Sequence, residues 1–216
     1  MTEKKKIKVG LMGGSFNPVT EGHVQLAQEA LANSYLEEVW LVPCYKHLQK
    51  DGMTDASHRV EMCELAVKDT PKVKVFDYEI KNELKGSTYD FIMQLFNDDD
   101  FQDYEFSCVI GADCALRFNT WKNYEELREL INFVTLPRLG YMDGNENEWF
   151  RIEPHIFVEV DIRPIASTYI REWMGYWWSG ECRAWADAKL KDELNSDVLS
   201  YIKAHKLYKE NVLKNK

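Results

Sequence analysis

The chain predicts an α/β protein, a Rossmann-like parallel sheet with helices on both faces and a small helical C-terminal part. Three observations carry this. Short apolar runs such as Glu38-Val39-Trp40-Leu41-Val42-Pro43 alternate with segments of helical periodicity. The first run, Val9-Gly10-Leu11-Met12, enters the glycine pair Gly13-Gly14 and then a helical stretch. The apolar runs are strand-sized, and 45% hydrophobic with 29% charged residues is a soluble, globular balance, so no membrane partner is expected.

Residues 7–13 read as the first strand and 22–33 as the helix after it, with Leu26, Ala27, Ala30 and Leu31 on one face. Residues 38–43 are the second strand, stopped by Pro43. A polar loop, 44–56, carries Lys46, His47 and Lys50. Ser57 is placed to cap a helix through Asp69, with Glu61 near its first turn. Residues 73–76 give a third strand and 88–96 a helix, whose acidic end 97–100 is expected in solvent. A fourth strand, 105–111, precedes helical pieces around 113–118 and 123–131; a fifth, 133–136, ends at Pro137. Residues 141–155 are polar and irregular, 156–160 a last strand, and helices follow from Thr168 and over 196–209.

No repeat or low-complexity linker divides the 216 residues, which read as one domain with 165–216 as its helical C-terminal part. In such sheets ligands bind beyond the C-terminal strand ends, where the strand order switches. The glycine loop, the Lys46 loop and Gly111-Ala112-Asp113 all follow strands and are expected to converge there.

The net charge of −9 argues against a nucleic-acid partner, which calls for a basic surface. Local cations and backbone amides still suit an anionic nucleotide. Met-Thr-Glu-Lys-Lys-Lys leads into no apolar signal-peptide core. Five cysteines without a CxxC spacing are expected to be reduced, as in a cytoplasmic protein.

Two stretches carry chemistry. Gly13-Gly14-Ser15-Phe16-Asn17-Pro18 runs into Thr20-Glu21-Gly22-His23. Glycines let backbone N–H groups approach an anion, and a helix N-terminus adds its positive end. His23 falls in the first turn, where it can face the same anion. Farther on, Ser167-Thr168-Tyr169-Ile170-Arg171 opens a helix with two hydroxyls and an arginine one turn in, a set that suits a polyphosphate. Taken alone, Ser167 would read as a cap and Arg171 as a surface pair. Together with the first motif, the phosphate reading is favoured.

These motifs resemble the signature of the nucleotidylyltransferase superfamily, whose Ile-Ser-Ser-Thr-x-x-Arg is similar to Ile165–Arg171 with Ala166 in place of the first serine. Ser57-His58-Arg59, Gly111-Ala112-Asp113, Trp121–Leu127, Phe133–Tyr141 and Tyr201–Tyr208 narrow the resemblance to the nicotinate/nicotinamide mononucleotide adenylyltransferase branch, over nearly the whole chain. The resemblance implies transfer of AMP from ATP to the 5′-phosphate of a pyridine mononucleotide, with release of pyrophosphate. It implies Mg2+ accompanying ATP, with few protein ligands and no dedicated metal cluster. It puts His23 on the α-phosphate and Arg171, Ser167 and Thr168 on the β- and γ-phosphates, with His23, Arg171 and Thr20 as the catalytic residues. Gly13, Gly14, Ser15, Phe16, Gly22, Gly111 and Asp113 complete the ATP site. Asn17, Lys46, Thr88, Tyr89, Asp90, Trp121 and Arg138 fall to the mononucleotide.

Several of these positions carry two readings. Trp121 can stack on a cationic pyridine ring or simply pack. Asp113 can place the ribose or cap a helix, Lys46 can meet phosphate or stay in solvent, and Arg59 reads as structural. Thr20 stands where the branch usually has a histidine, and threonine there resembles phosphopantetheine adenylyltransferase, the alternative enzyme. A binding regulator that has lost catalysis is the alternative from another class, against which His23 and Arg171 stand. Asp90 replaces a small hydroxyl residue. Its charge would disfavour the nicotinate carboxylate if it faced the pocket, or serve the helix N-terminus if it did not. The long spacer after Arg171 holds Trp173, Trp177, Trp178 and Trp185, which suit a terminal subdomain or a homo-oligomer contact.

Overall fold

The computed structural model describes residues 5–47, 52–137, 148–160 and 166–209. In chain order the elements are β1 (Ile7–Gly14), α1 (Glu21–Ala32), β2 (Glu38–Pro43), α2 (Ala56–Val67), β3 (Val73–Val75), α3 (Tyr78–Lys81) and α4 (Thr88–Phe96). Then come β4 (Tyr104–Gly111), α5 (Ala112–Ala115), α6 (Tyr124–Leu130), β5 (Asn132–Leu136), β6 (Ile156–Phe157), α7 (Ser167–Ser179), α8 (Arg183–Glu193) and α9 (Ser196–Ala204).

The strands form one sheet in the order β3-β2-β1-β4-β5-β6. Every neighbouring pair is parallel. The chain builds outward from β1 to β3, returns to β4 beside β1, and builds outward again. Between β1 and β4 the connections leave in opposite directions, which opens a crevice at the C-terminal strand ends. Both sheet faces are buried, as parallel sheets require. In β2, Val39 and Leu41 point into a core shared with α1, α2, α7, α8 and α9, while Trp40 and Val42 point into one shared with α4 and α6.

The C-terminal helices belong to the first of these cores through Ile170, Met174, Leu190, Val198 and Ile202, each fully buried. Trp177 and Trp178 pack against it, and the Arg183 guanidinium lies 4.1 Å over the Trp177 ring. Trp185 and Tyr169 stay about half exposed, at 49% and 54%.

Several boundaries depart from the sequence reading. The cap of α2 is Asp55, extended at φ −48° and ψ 145°, so Ser57 lies inside the first turn and the helix ends at Val67. The Asp55 side chain makes no cap hydrogen bond; its backbone carbonyl accepts from the Arg59 N–H at 3.2 Å, which starts the helix two residues before Ser57. The final strand shrinks to two residues because β5 runs out at Leu136 before Pro137, leaving Val158 to donate to the Thr135 carbonyl as the last rung. The last helix stops at Ala204, and the left-handed Lys206 (φ 54°) and Tyr208 (φ 61°) turn the chain back. The short α3 carries too few residues to show a period. Asp98, expected in solvent, is half-buried and accepts from the Tyr78 hydroxyl at 3.0 Å.

Candidate active site

β1 delivers Gly13 and Gly14 to the crevice, and the chain then turns into α1. A side chain on Gly14 would meet the Phe16 ring at 3.0 Å, whereas one on Gly13 would project into open space. Phe16 is 1% exposed and holds a left-handed backbone (φ 44°), a conformation costly for a side chain of its size. Its ring meets the His23 imidazole edge-on, with centroids 5.2 Å apart.

Thr20 is the N-cap of α1, and His23 is the third residue of the helix. The Thr20 backbone N–H donates to His23 Nδ1 at 3.1 Å, and the Thr20 hydroxyl lies 2.7 Å from the same nitrogen. A backbone N–H can only donate, so Nδ1 is the acceptor. The ring proton therefore resides on Nε2. The backbone N–H of Thr20 thus keeps the far nitrogen of His23 as a donor, and the Thr20 hydroxyl adds a second contact to Nδ1.

The start of α7 lies against this loop. Ser167 Oγ donates to the Pro18 carbonyl at 2.8 Å, and Arg171 donates to the Asn17 carbonyl at 2.8 Å and to Thr168 Oγ1 at 3.1 Å. The two stretches singled out in the sequence, 149 residues apart at their closest bond, form one cluster. Burial pulls the Arg171 guanidinium below its ordinary value, and Tyr208 opposes the shift.

Asn17, assigned to the mononucleotide, is buried in the loop between β1 and α1. It is 6% exposed, and its Oδ1 accepts from the Thr54 N–H at 3.3 Å and the Tyr208 hydroxyl at 3.0 Å. Gly22 is buried in the first turn of α1. Gly111 ends β4 across the crevice, and Asp113 sits in the first turn of α5 with the Arg117 guanidinium 3.8 Å away. Gly111, not Asp113, is the cap of that helix.

The family model described as cytidylyltransferase-like matches residues 11–173. A probable nicotinate-nucleotide adenylyltransferase of Oceanobacillus iheyensis is 32% identical over 202 residues, covering 93% of this chain and 96% of that one. The nicotinate-nucleotide adenylyltransferase of Bacillus subtilis is 32% identical over 170 residues, covering 76% and 84%. The chain belongs to the nicotinate-nucleotide adenylyltransferase family. Its fold is that of the Plasmodium falciparum nicotinic acid mononucleotide adenylyltransferase solved with NaAD, at a TM-score of 0.73, 18% identity and coverage of 94% and 97%.

In this adenylyltransferase-family chain the residues assigned to the acceptor gather around the start of α4. Thr88 is its first residue, behind the Ser87 cap. The Tyr89 hydroxyl donates to Glu126 at 2.7 Å, and the Asp90 carboxylate takes Lys122 Nζ at 2.7 and 2.9 Å. Trp121 precedes that lysine and packs on Phe118, with centroids 5.3 Å apart. Arg138 and Lys50 lie outside the described residues. Lys46 is exposed on the loop after β2, its ammonium 5.7 Å from the Tyr45 ring.

The sequence reads Arg59 as structural, and the structure shows which loops it supports. Arg59, 1% exposed, donates to the carbonyls of Thr54 at 2.9 Å, Ser15 at 2.9 Å and Tyr45 at 3.5 Å. One buried guanidinium therefore ties the glycine loop to the Lys46 loop and to the approach to α2. From the other side, Gly86 (φ 79°) lies so close that a side chain there would strike the Lys46 carbonyl at 2.3 Å. Lys122 was missed, its signal being only its place beside Trp121.

Glu79 is the buried acid of this region. Burial pushes its carboxyl up to about 7, against the opposing pull of the Tyr45 N–H and the Arg59 charge. A carboxyl raised from 4.5 to about 7 binds its proton more tightly in the folded state. Its contribution to stability is then fully present below pH 4.5 and is lost as pH rises through 7. Glu79→Gln should therefore gain on the wild type across that window, by up to about 3 kcal/mol. Urea unfolding of both proteins at a series of pH values reads this directly, and a pH-independent difference would refute it.

Proposed function

We propose that the chain transfers AMP from ATP to the 5′-phosphate of nicotinate or nicotinamide mononucleotide. A phosphate oxygen of the acceptor attacks the α-phosphorus, the bond from that phosphorus to the bridging oxygen breaks, and pyrophosphate leaves with the electron pair. The observation that carries this reading is the His23 donor nitrogen held beside the glycine loop at the strand-order switch, in a chain of this family. Such a reaction calls for in-line placement and neutralisation of charge more than for an acid–base pair. The glycine loop and the start of α1 supply N–H groups, His23 Nε2 faces the α-phosphate, and Ser167, Thr168 and Arg171 take the outer phosphates. With five N–H donors, a guanidinium can hold the Asn17 and Thr168 oxygens and still meet a phosphate.

Magnesium, when bound, would be carried by the triphosphate oxygens and would offset their charge. We take residues 1–216 as one nucleotidyltransferase domain, which the shared core of α1, α2 and α7 to α9 supports. A cytoplasmic location suits the five free cysteines, and the exposed Tyr169 and Trp185 suit contact with a second copy. Among the described residues no helix is long and apolar enough to cross a membrane. The test is product formation from ATP with nicotinate mononucleotide, nicotinamide mononucleotide and phosphopantetheine in parallel. Dinucleotide and pyrophosphate are expected with a pyridine mononucleotide, and turnover of phosphopantetheine alone would overturn the reading.

The Asp90–Lys122 pair bears on the choice of acceptor. The negative charge that would repel a nicotinate carboxylate is neutralised by the ammonium. Removing one partner uncovers the other. Lys122→Met should shift the ratio of specificity constants toward nicotinamide mononucleotide, and Asp90→Asn toward nicotinate mononucleotide. Both groups are about half exposed, so each shift should be only about threefold. Shifts in the same direction, or none, would place the pair outside the acceptor pocket.

A further inference from the structure

Asn17 and Pro18 form the point at which distant parts of the chain meet. Besides Thr54 before α2, both the start of α7 and the segment after α9 bond to this dipeptide. The last of these reaches it through the Tyr208 hydroxyl. Tyr208 is 2% exposed, its backbone is left-handed, and its own segment is fastened by Trp178 Nε1 donating to the Leu207 carbonyl at 3.0 Å.

The orientation of the Asn17 amide follows from its partners. The Thr54 N–H can only donate, so the atom it meets is Oδ1, and the Tyr208 hydroxyl donates to that same oxygen. Two donors on one oxygen fix a planar amide. The NH2 group then occupies the opposite branch, turned from Thr54 and Tyr208, and among the described residues none accepts from it. Without the Tyr208 hydroxyl, the Thr54 N–H would be left among the described residues to hold the amide, and the side chain could turn.

We propose that Tyr208 is a positioning residue for the acceptor: its hydroxyl, with the Thr54 N–H, holds Asn17 so that Nδ2 donates to the phosphate of the mononucleotide. This rests on the adenylyl-transfer reading above. The segment after α9 thereby takes part in substrate binding without touching substrate.

The experiment is a double-mutant cycle on the full chain, with Tyr208→Phe, Asn17→Ala and the pair, read as kcat and KM for each substrate. Tyr208→Phe should raise KM for the mononucleotide about fivefold, and Asn17→Ala about tenfold or more, in keeping with one hydrogen bond to a charged group. KM for ATP should stay within about twofold of the wild type, the two substrates making separate contacts. The pair should be no worse than Asn17→Ala alone, because the hydroxyl acts only through the amide. A general loosening of the fold would instead give losses that add and that fall on both substrates. Should Asn17→Ala fail to fold, Asn17→Asp keeps acceptors for Thr54 and Tyr208 while removing the donor, and Tyr208→Phe should again add nothing. Additive losses, or a Tyr208→Phe enzyme with an unchanged KM, would overturn the role of Tyr208. A wild type that turned over neither mononucleotide would overturn the adenylyl-transfer reading instead.

Discussion

His23→Ala is expected to lower turnover about 100-fold, the usual cost of removing one donor aimed at charge that develops in a transition state. ATP affinity should change far less, because the glycine loop and the Arg171 cluster remain. The expectation rests on one detail of the cap. With Nδ1 taken by Thr20, the ring has its donor on Nε2, and His23→Asn would keep a donor but lose the reach. Rapid-quench measurement of the chemical step, beside an ATP titration, separates the two effects. Full turnover in a folded His23→Ala protein would remove this residue from the reaction.

Arg171→Ala should raise KM for ATP about 10- to 100-fold, the range for a charged hydrogen-bonding group lost from an anion. The structure complicates the simple picture. The same guanidinium holds the Asn17 carbonyl, so its loss also frees the glycine loop. Arg171→Lys tells the contributions apart: it keeps the charge but cannot span the carbonyl and Thr168 together. A lysine variant close to wild type in KM for ATP would show that charge alone matters. One close to alanine would show that the fork does. An alanine variant with unchanged ATP dependence would leave Arg171 a purely structural brace.

The parts of this protein that were legible in the sequence are those written in local pattern. The six strands, the glycine turn and the helix start at Ser167 each announce themselves within about ten residues, by period or by capping chemistry. That Ser167 bonds to Pro18 could be inferred only through a family resemblance, since nothing local to either residue points to the other. The supports were legible only in outline. Arg59 read as structural, but its three carbonyl partners lie on loops whose backbone paths no composition reveals. Glu79 looks like any surface acid of a short helix. Lys122 gains meaning only from Asp90, 32 residues earlier.

The bond between Asn17 and Tyr208 spans 191 residues. Contacts of such separation form late, because the entropy of closing the intervening chain must be offset first. The glycine loop therefore lacks the hydroxyl that orients Asn17 until a segment 191 residues farther along has been made and folded back. The first part of the site to be translated is among the last to be finished.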